Sequence, residues 1–220
     1  MATKDGNNAS VFNGIAESWY RLRHWTRFKT ELEELAARWG SGRLLNIGCA
    51  HGPDFLPFKD IFDLYGLDSS DQMLRMAVKY SDKFKFPVNL LTADAVHLPI
   101  RTHSFDWVIA VAVYHHIESK EDRGKAFEEL RRVLKPGGEA FITVWNYWQW
   151  KFFPKGKQVI VPWRTESELL PRYHYLYDYV EIEWKLKKHG FKIIWSRPER
   201  SYNSWFKYFS QNICVLVKPV

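Results

Sequence analysis

The sequence predicts an α/β fold in which a mostly parallel sheet carries helices on both faces. Strand and helix candidates alternate along the chain, and such alternation requires crossover connections between parallel strands. The mostly apolar run 44–47 (LLNI) leads directly into a turn with Gly48 and Gly52, the strand-to-helix turn of many nucleotide-binding proteins. Asp68 ends the next strand candidate, about twenty residues after Gly48, where a carboxylate can accept hydrogen bonds from ribose hydroxyls.

Periodicity and turn residues predict each element in order. Residues 11–39 repeat apolar side chains at helical spacing, which predicts two helices joined near His24. Apolar runs predict seven strands, at 43–47, 62–67, 88–92, 105–112, 138–145, 191–196 and 212–218. Helices are predicted between them, at 53–58, 70–79, 121–134 and 179–189. Residues 1–10 are polar and small, and we expect them to be disordered.

The segment 146–178 interrupts the alternation of strands and helices. It is crowded with aromatic side chains, from Trp148 near its beginning to Tyr177 at its end. Aromatic residues bury large apolar surfaces, so we expect this segment to form a second small core beneath a long loop. We interpret it as an insertion within a single domain that covers residues 1–220.

The formal net charge of +7 comes from the last third of the chain. Residues 1–150 hold 19 Lys or Arg and 19 Asp or Glu, whereas residues 151–220 hold 13 basic and 6 acidic residues. The excess is either a solvated helix face, where Lys185, Lys187 and Lys188 lie, or a surface that binds a polyanion.

The sequence also bears on the compartment in which the protein works. No apolar run approaches the length of a membrane-spanning helix, so we expect no membrane association. The N-terminus lacks a charged-then-apolar leader, and Cys49 and Cys214 lie far apart in the sequence. We therefore expect a cytoplasmic protein without a disulfide.

Five segments resemble the successive motifs of class I S-adenosylmethionine-dependent methyltransferases and occur in the same order. They are 46–52 (NIGCAHG), 66–74 (GLDSSDQML), 92–95 (TADA), 104–108 (SFDWV) and 134–138 (LKPGG). The resemblance implies a Rossmann-like fold with a seven-stranded sheet, and S-adenosyl-L-methionine as the cofactor. By position, it implies that the cofactor is bound by Asn46, Gly48, Ala50, Gly52, Asp68, Ser69, Asp94, Ala95 and Val111.

The first of these motifs departs from the family at two positions. Asn46 stands where the family usually has Asp or Glu, and Ala50 stands where it usually has glycine. An asparagine accepts hydrogen bonds but carries no charge to balance the ammonium group of the cofactor. We therefore expect a lowered affinity for the cofactor.

Several basic side chains are candidates for the active site. His115 and His116 follow the fourth strand candidate, where class I enzymes often place acceptor-side residues, and we predict that His116 faces the cleft. No further metal ligands occur at suitable spacing, so we expect no metal site. A carboxylate acceptor would need no general base, and a protonated His116 would help to hold it. Arg23 is either a solvated helix residue or folds over the carboxylate of the cofactor.

A narrower resemblance covers most of the chain. Segments 12–16 (FNGIA) with Arg23, 115–116 (HH) with Arg123, 144–145 (VW), 161–163 (VPW) and 172–177 (RYHYLY) are similar to the tRNA wobble-uridine carboxymethyl methyltransferases. These enzymes methylate the carboxylate of 5-carboxymethyluridine in the anticodon. The resemblance implies a substrate lid at 146–178, and an acceptor pocket lined by Arg23, His116, Trp163, Arg172, Tyr173 and His174.

The motif RYHY at 172–175 stands where the family tends to have RYYH, so the roles of Tyr173 and His174 can be exchanged. The resemblance further implies two partners. One is tRNA, and the other is a small zinc-binding activator protein that adds a strand beside the edge strand at 88–92.

Two alternatives remain open from the sequence. The first is a small-molecule methyltransferase of the quinone or metabolite type on the same fold, which would use the aromatic segment for an apolar acceptor. The second is a cofactor-binding partner protein without catalysis, which the departures at Asn46 and Ala50 allow.

Overall fold

The structure, a computed structural model, describes residues 8–152, 155–203 and 206–220. Its α-helices are α1 (Asn8–Leu22), α2 (Lys29–Trp39), α3 (Asp71–Phe84), α4 (Lys120–Val133) and α5 (Tyr179–Lys188). Its strands are β1 (Gly42–Ile47), β2 (Phe62–Asp68), β3 (Asn89–Thr92), β4 (Phe105–Val111), β5 (Leu134–Trp145), β6 (Gln158–Arg164), β7 (Leu169–Tyr175), β8 (Phe191–Pro198) and β9 (Asn212–Pro219). None of the described helices is both long enough and apolar enough to cross a lipid bilayer.

Seven of the strands form one sheet in the order β3-β2-β1-β4-β5-β9-β8, and β6 pairs with β7 as a separate hairpin. The pairs from β3 to β5 are parallel, whereas β9 runs antiparallel to both β5 and β8. This confirms the predicted α/β fold with a seven-stranded, mostly parallel sheet. The strand order reverses at β1, and ligands of such sheets bind outside the carboxyl ends of the strands at that point.

Strand β1 is buried on both faces, because successive side chains of a strand point to opposite sides of the sheet. Leu45 belongs to the same apolar core as Phe127 of α4. Leu44 belongs to the core on the other face, with Leu32 of α2 and Tyr80 of α3. Full burial of one such aliphatic side chain stabilises the fold by about 1.5–3 kcal/mol. The packing fixes the strand ends, and with them the position of the site.

Three local expectations differ from the structure. Residues 8–10, expected to be disordered, form the first turn of α1, while residues 1–7 lie outside the described part of the chain. The helix expected at 53–58 is a 3-10 helix that contains Pro57. The segment 146–178 contains the hairpin β6–β7, with Pro162 paired opposite Pro171. Proline argues against a central strand, which is why the sequence pattern did not predict this hairpin.

Helix α1 holds the hairpin against the main sheet. Asn13 Oδ1 accepts hydrogen bonds from Ser70 Oγ at 2.7 Å and from the Gln72 N–H at 3.2 Å, at the N-terminus of α3. On its other side, Ser18 Oγ accepts a hydrogen bond from Trp163 Nε1 of β6 at 2.9 Å. Sequence-distant segments therefore meet above the carboxyl ends of β1, β2 and β4.

Candidate active site

A cavity of about 560 Å³ lies at the carboxyl ends of the central strands and is closed by α1 and β7. This volume falls in the range of pockets that enclose a small-molecule ligand. Its wall includes, in chain order, Trp19, Gly48, Asp68, Asp94, Val111, His116, Trp145, Arg172 and His174.

The turn after β1 brings backbone rather than side chains to the cavity. Gly48 has φ +65°, and a Cβ built there would lie 2.5 Å from Val113 Cγ2, so only glycine fits. Ala50 lies in the left-handed region with φ +48°, which costs an alanine about 1–2 kcal/mol. Its N–H donates to Asp68 Oδ2 at 2.9 Å, which holds the turn in this conformation.

Asp68 is the main polar group of this half of the cavity. Its Oδ1 accepts a hydrogen bond from the Ser70 N–H at 2.9 Å, and its Oδ2 accepts the one from Ala50. A carboxylate has about four acceptor positions, so Asp68 can also accept from the hydroxyls of a ribose. Burial raises the pKa of Asp68, and the backbone N–H groups oppose this shift. Ser69, Asp94, Ala95 and Val111 lie in the same wall.

Arg172 lies in the wall of the opposite half of the cavity, and Arg23 lies close to it. The Arg172 guanidinium lies 5.0 Å from the ring centroid of Trp163 and 5.5 Å from that of Trp19. The Arg23 guanidinium lies 5.3 Å from Trp19 and 5.8 Å from Trp163. Across the described residues, no carboxylate forms an ion pair with either arginine. Arg172 is buried, and burial and the nearby Arg23 lower its pKa to about 10, so it remains charged at neutral pH.

Further cations lie close to this half of the cavity. Burial and the neighbouring Arg27 lower the pKa of both Arg23 and Lys151. Lys151 Nζ lies 5.0 Å from the ring centroid of Trp145, which forms part of the cavity wall. Like charges that repel one another in this way favour an anionic ligand.

Three imidazole rings lie beside the arginines. The ring centroids of His115 and His116 are 4.4 Å apart, and those of His116 and His174 are 4.5 Å apart. His116 Nδ1 donates to the Tyr173 carbonyl at 2.9 Å. Burial lowers the pKa of His116 to about 4 and that of His174 to about 2. Both rings are therefore neutral at pH 7.

Comparisons with known proteins agree with this geometry. Residues 45–142 match a family model described as a methyltransferase domain. The chain is 36% identical to the tRNA (carboxymethyluridine(34)-5-O)-methyltransferase of Arabidopsis thaliana, over 61% of this chain and 31% of that protein. It is 34% identical to the tRNA (carboxymethyluridine(34)-5-O)-methyltransferase ALKBH8 of Mus musculus, over 61% of this chain and 19% of that protein. It therefore spans less than a third of the length of these two relatives.

A solved structure shares the fold. An S-adenosylmethionine-dependent methyltransferase from Clostridium acetobutylicum superposes with a TM-score of 0.74 at 18% identity, over 94% of this chain and 98% of that chain. The chain contains a class I S-adenosylmethionine-dependent methyltransferase domain. The predictions of family, fold, enzyme class and cofactor are confirmed. The free acceptor positions of Asp68 and the backbone approach at Gly48 fit S-adenosyl-L-methionine.

Two of the residues predicted to bind the cofactor do not line the cavity of the methyltransferase. Asn46 is wholly buried, in register with Gly66 of β2 and Ile109 of β4. Neither atom of its amide has a hydrogen-bond partner within the described ranges. Gly52, with φ +89°, precedes the 3-10 helix and shapes the turn. Asn46 and Gly52 therefore lie outside the cavity wall, although the resemblance implies that both bind the cofactor.

On the acceptor side, the structure brings His116, Arg172 and His174 into the cavity wall of the methyltransferase and leaves Tyr173 out. Side chains alternate along β7, so Tyr173 faces the opposite side, next to Arg123. Its predicted place in the pocket is wrong. Arg23 and Trp163, also predicted to line the pocket, lie outside the wall. The Trp163 ring contacts the Arg172 guanidinium, whereas the charge of Arg23 repels it.

Sequence reasoning missed several members of the site. Spacing along the sequence does not indicate a metal site, but the fold brings one ring nitrogen each of His115, His116 and His174 within 4.8 Å of one another. Trp19 and Trp145 also line the cavity, although only their helical and strand positions were predicted. If β7 had been recognised as a strand, its period of two would have placed Arg172 and His174 on the same face.

Proposed function

We propose that this methyltransferase modifies tRNA, by methylating the carboxylate of 5-carboxymethyluridine at the wobble position of the anticodon. The observation that carries the proposal is the buried Arg172, a charged guanidinium in the cavity wall with no carboxylate partner in the described part of the chain. A buried charge is costly unless a ligand pairs with it, and a guanidinium fork matches a carboxylate in a bidentate manner.

The protonation states favour a carboxylate over an amine or a phenol. S-adenosyl-L-methionine, when bound, supplies an electrophilic methyl group. An amine or phenol must lose a proton before it can accept this methyl group, whereas a carboxylate is already anionic at pH 7. His116, with a pKa of about 4, is a weak base for that task. Arg172 can hold the carboxylate, and the aromatic wall keeps water away from it.

The surroundings of the cavity favour RNA over an apolar metabolite. Arg23, Arg27 and Lys151 form a cationic mouth, which suits the phosphates on either side of a target nucleotide. Trp19 and Trp145 offer ring surfaces in the cavity wall on which a base turned out of the anticodon loop can stack. The names of the two relatives, which refer to carboxymethyluridine 34 of tRNA, point to the same substrate.

The test is transfer of a labelled methyl group to synthetic anticodon stem-loops. One RNA carries 5-carboxymethyluridine at the wobble position and its matched control carries uridine. We expect label only in the first, and we expect mild alkali to release it, because a methyl ester hydrolyses whereas a methyl group on nitrogen or carbon does not. Transfer to an apolar quinone but to neither RNA would instead support the metabolite enzyme.

We further propose a protein partner at the edge strand β3. Leu91 is 42% exposed there, while Leu90 packs over Gly66. An exposed edge offers unpaired backbone groups to an added strand, and a small zinc-binding activator would bury Leu91. Leu91→Lys should abolish co-purification of the activator, whereas Asn89→Lys at the same edge is the control. Full activity of the stable monomer on tRNA would exclude a required activator.

We also propose that the protein is cytoplasmic. Both thiols, Cys49 and Cys214, are buried and free, which suits a reducing compartment. Fractionation of cells that express the tagged protein would test it.

A further inference from the structure

His174 carries a hydrogen-bond acceptor that the protein leaves unused. The side chain is fully buried, and its Nδ1 lies 3.0 Å from the Arg172 carbonyl oxygen. A carbonyl oxygen can only accept, so the proton of the neutral ring is on Nδ1 and the lone pair is on Nε2. Nε2 is buried, and within the described ranges no donor reaches it.

The neighbouring rings do not supply the missing donor. His116 donates from Nδ1 to the Tyr173 carbonyl, so its Nε2 is an acceptor as well. His115 accepts a hydrogen bond from the Trp145 N–H at Nδ1, at 3.3 Å, and therefore carries its proton on Nε2. The rings of His115 and His174 are nearly parallel, with an angle of 18° and centroids 5.3 Å apart, so they stack rather than meet edge to edge.

A buried acceptor without a donor is unfavourable, and a ligand that brings an N–H into the cavity removes the penalty. His174 lies in the cavity wall together with Arg172, whose guanidinium is the group proposed to hold the acceptor carboxylate. The ring stacks on Trp145 at 4.3 Å and 25°, which fixes the direction of the Nε2 lone pair.

We propose that His174 Nε2 accepts a hydrogen bond from N3–H of the target uracil and thereby distinguishes uracil from cytosine. The inference rests on the proposed function, because it assumes that a pyrimidine with a carboxymethyl group enters this cavity. Uracil has a donor at N3, whereas cytosine has a lone pair there, which would face the lone pair of His174. A site built around a hydrogen bond rejects a ligand that cannot form it.

The experiment compares three stem-loops that differ only at the target position: 5-carboxymethyluridine, its N3-methyl derivative and 5-carboxymethylcytidine. Both binding, in the presence of S-adenosylhomocysteine, and methyl transfer are measured. We expect the wild-type protein to bind the uridine RNA about tenfold or more tightly than either of the others. An equal affinity for the uridine and cytidine RNAs would overturn the inference.

Two variants separate hydrogen bonding from shape. His174→Phe keeps a ring without a lone pair, so the preference for uridine should vanish and binding of the uridine RNA should weaken. His174→Gln places a carboxamide near the former Nε2. It can accept from uracil or donate to cytosine, so the uridine RNA should still bind while the preference over cytidine falls towards one. An unchanged preference in His174→Phe would exclude His174 as its source.

The outcomes also separate this inference from the proposed function. Selective binding of the uridine RNA without methyl transfer would support the inference and overturn the function. Methyl transfer without selectivity for uridine would support the proposed function and overturn the inference. If no RNA binds, both the inference and the proposed function are overturned. Stoichiometric binding of Zn²⁺ that His174→Phe abolishes, without selectivity for uridine, would assign the three histidines to a metal. Loss of cofactor affinity in His174→Phe would assign Nε2 to the cofactor's ammonium group.

Discussion

The two halves of the cavity are built in different ways. The cofactor half uses the backbone of one turn, around Gly48, and the carboxylate of Asp68 from the neighbouring strand. The acceptor half uses side chains from α1, from the segment after β4 and from β7, which meet only in the folded chain. Backbone contacts recur on many members of a fold, whereas side-chain contacts select the substrate. Changes in one half should therefore leave the other half working.

The largest effect is expected at Arg172. Arg172→Met keeps an apolar chain beside the two tryptophan rings but removes the charge. Truncating one partner of a buried charge pair costs about 2–5 kcal/mol, so kcat/KM on the carboxymethyluridine RNA should fall about thirtyfold or more. Calorimetry should find an unchanged affinity for the cofactor, and Arg172→Lys should be intermediate. Wild-type transfer rates in Arg172→Met would remove this residue from the acceptor half.

The converse change is Asp68→Ala, in the cofactor half. Each charge-assisted hydrogen bond that is removed costs about 1.5–3 kcal/mol, so affinity for the cofactor should fall at least tenfold while RNA binding persists. Asp63→Ala is the control, because Asp63 is exposed on the same strand and pairs with Arg43 at 3.6 Å. Thermal melting should be followed too, since Asp68 also holds the turn. An unchanged cofactor affinity would contradict the assignment of the cofactor half.

Substitution of the lysines of α5 is expected to have a moderate effect on RNA affinity. Lys187 and Lys188 are exposed, whereas the Lys185 side chain is 12% exposed and pairs with Glu181 at 3.6 Å. Lys187→Ala with Lys188→Ala should reduce the slope of log affinity against log salt by about 0.7–0.9 for each phosphate that these two lysines neutralise. Lys185→Ala should leave the slope unchanged. Equal slopes for all three proteins would place the RNA elsewhere.

A smaller effect is expected at Ala50. Ala50→Gly relieves the left-handed strain but makes the unfolded chain more flexible, so the free energy of unfolding should rise by at most about 1 kcal/mol. Ala36→Gly, within α2, should instead lower it by about 1 kcal/mol. Urea denaturation of both variants tests the contrast. If Ala50→Gly is as destabilising as Ala36→Gly, the strain at Ala50 is not real.

The smallest effect concerns pH. A base with the ordinary histidine pKa of about 6.5 would lose about fourfold of its neutral form between pH 8 and pH 6. Burial depresses the pKa of His116 to about 4, and Arg172, with a pKa of about 10, stays charged, so neither changes state in this range. The transfer rate on saturating RNA should therefore vary less than twofold from pH 6 to pH 8. A fourfold fall towards pH 6 would reveal a general base.

The cofactor half was predictable from the sequence because its residues follow strands with clear apolar patterns. Gly48 and Asp68 were predicted from their place after strand candidates, Asp94 was predicted through the resemblance, and all three lie in the cavity wall. The exceptions are Asn46, which is wholly buried within β1, and Gly52, which shapes the turn before the 3-10 helix. A motif specifies the position of a residue in the chain, not whether its side chain reaches the ligand.

The acceptor half was only partly predictable. Arg172 and His174 were named through a resemblance, but the prolines of β6 and β7 concealed the strand alternation that excludes Tyr173. The approach of His174 to His115 depends on how the hairpin packs against the main sheet, and no local pattern encodes that distance. Long-range packing therefore limits prediction more here than local propensity does.

The cationic mouth links ligand binding to the melting behaviour of the protein. Arg23, Arg27, Lys151 and Arg172 repel one another in the free protein, and a bound polyanion cancels this repulsion. Whatever binds only the native state stabilises it by mass action, about 2.7 kcal/mol at a hundred times Kd. Unmodified anticodon RNA should therefore raise the melting temperature without any methyl transfer, and simple polyanions should do so in part. Thermal shift thus becomes a search tool for the RNA partner that does not depend on turnover.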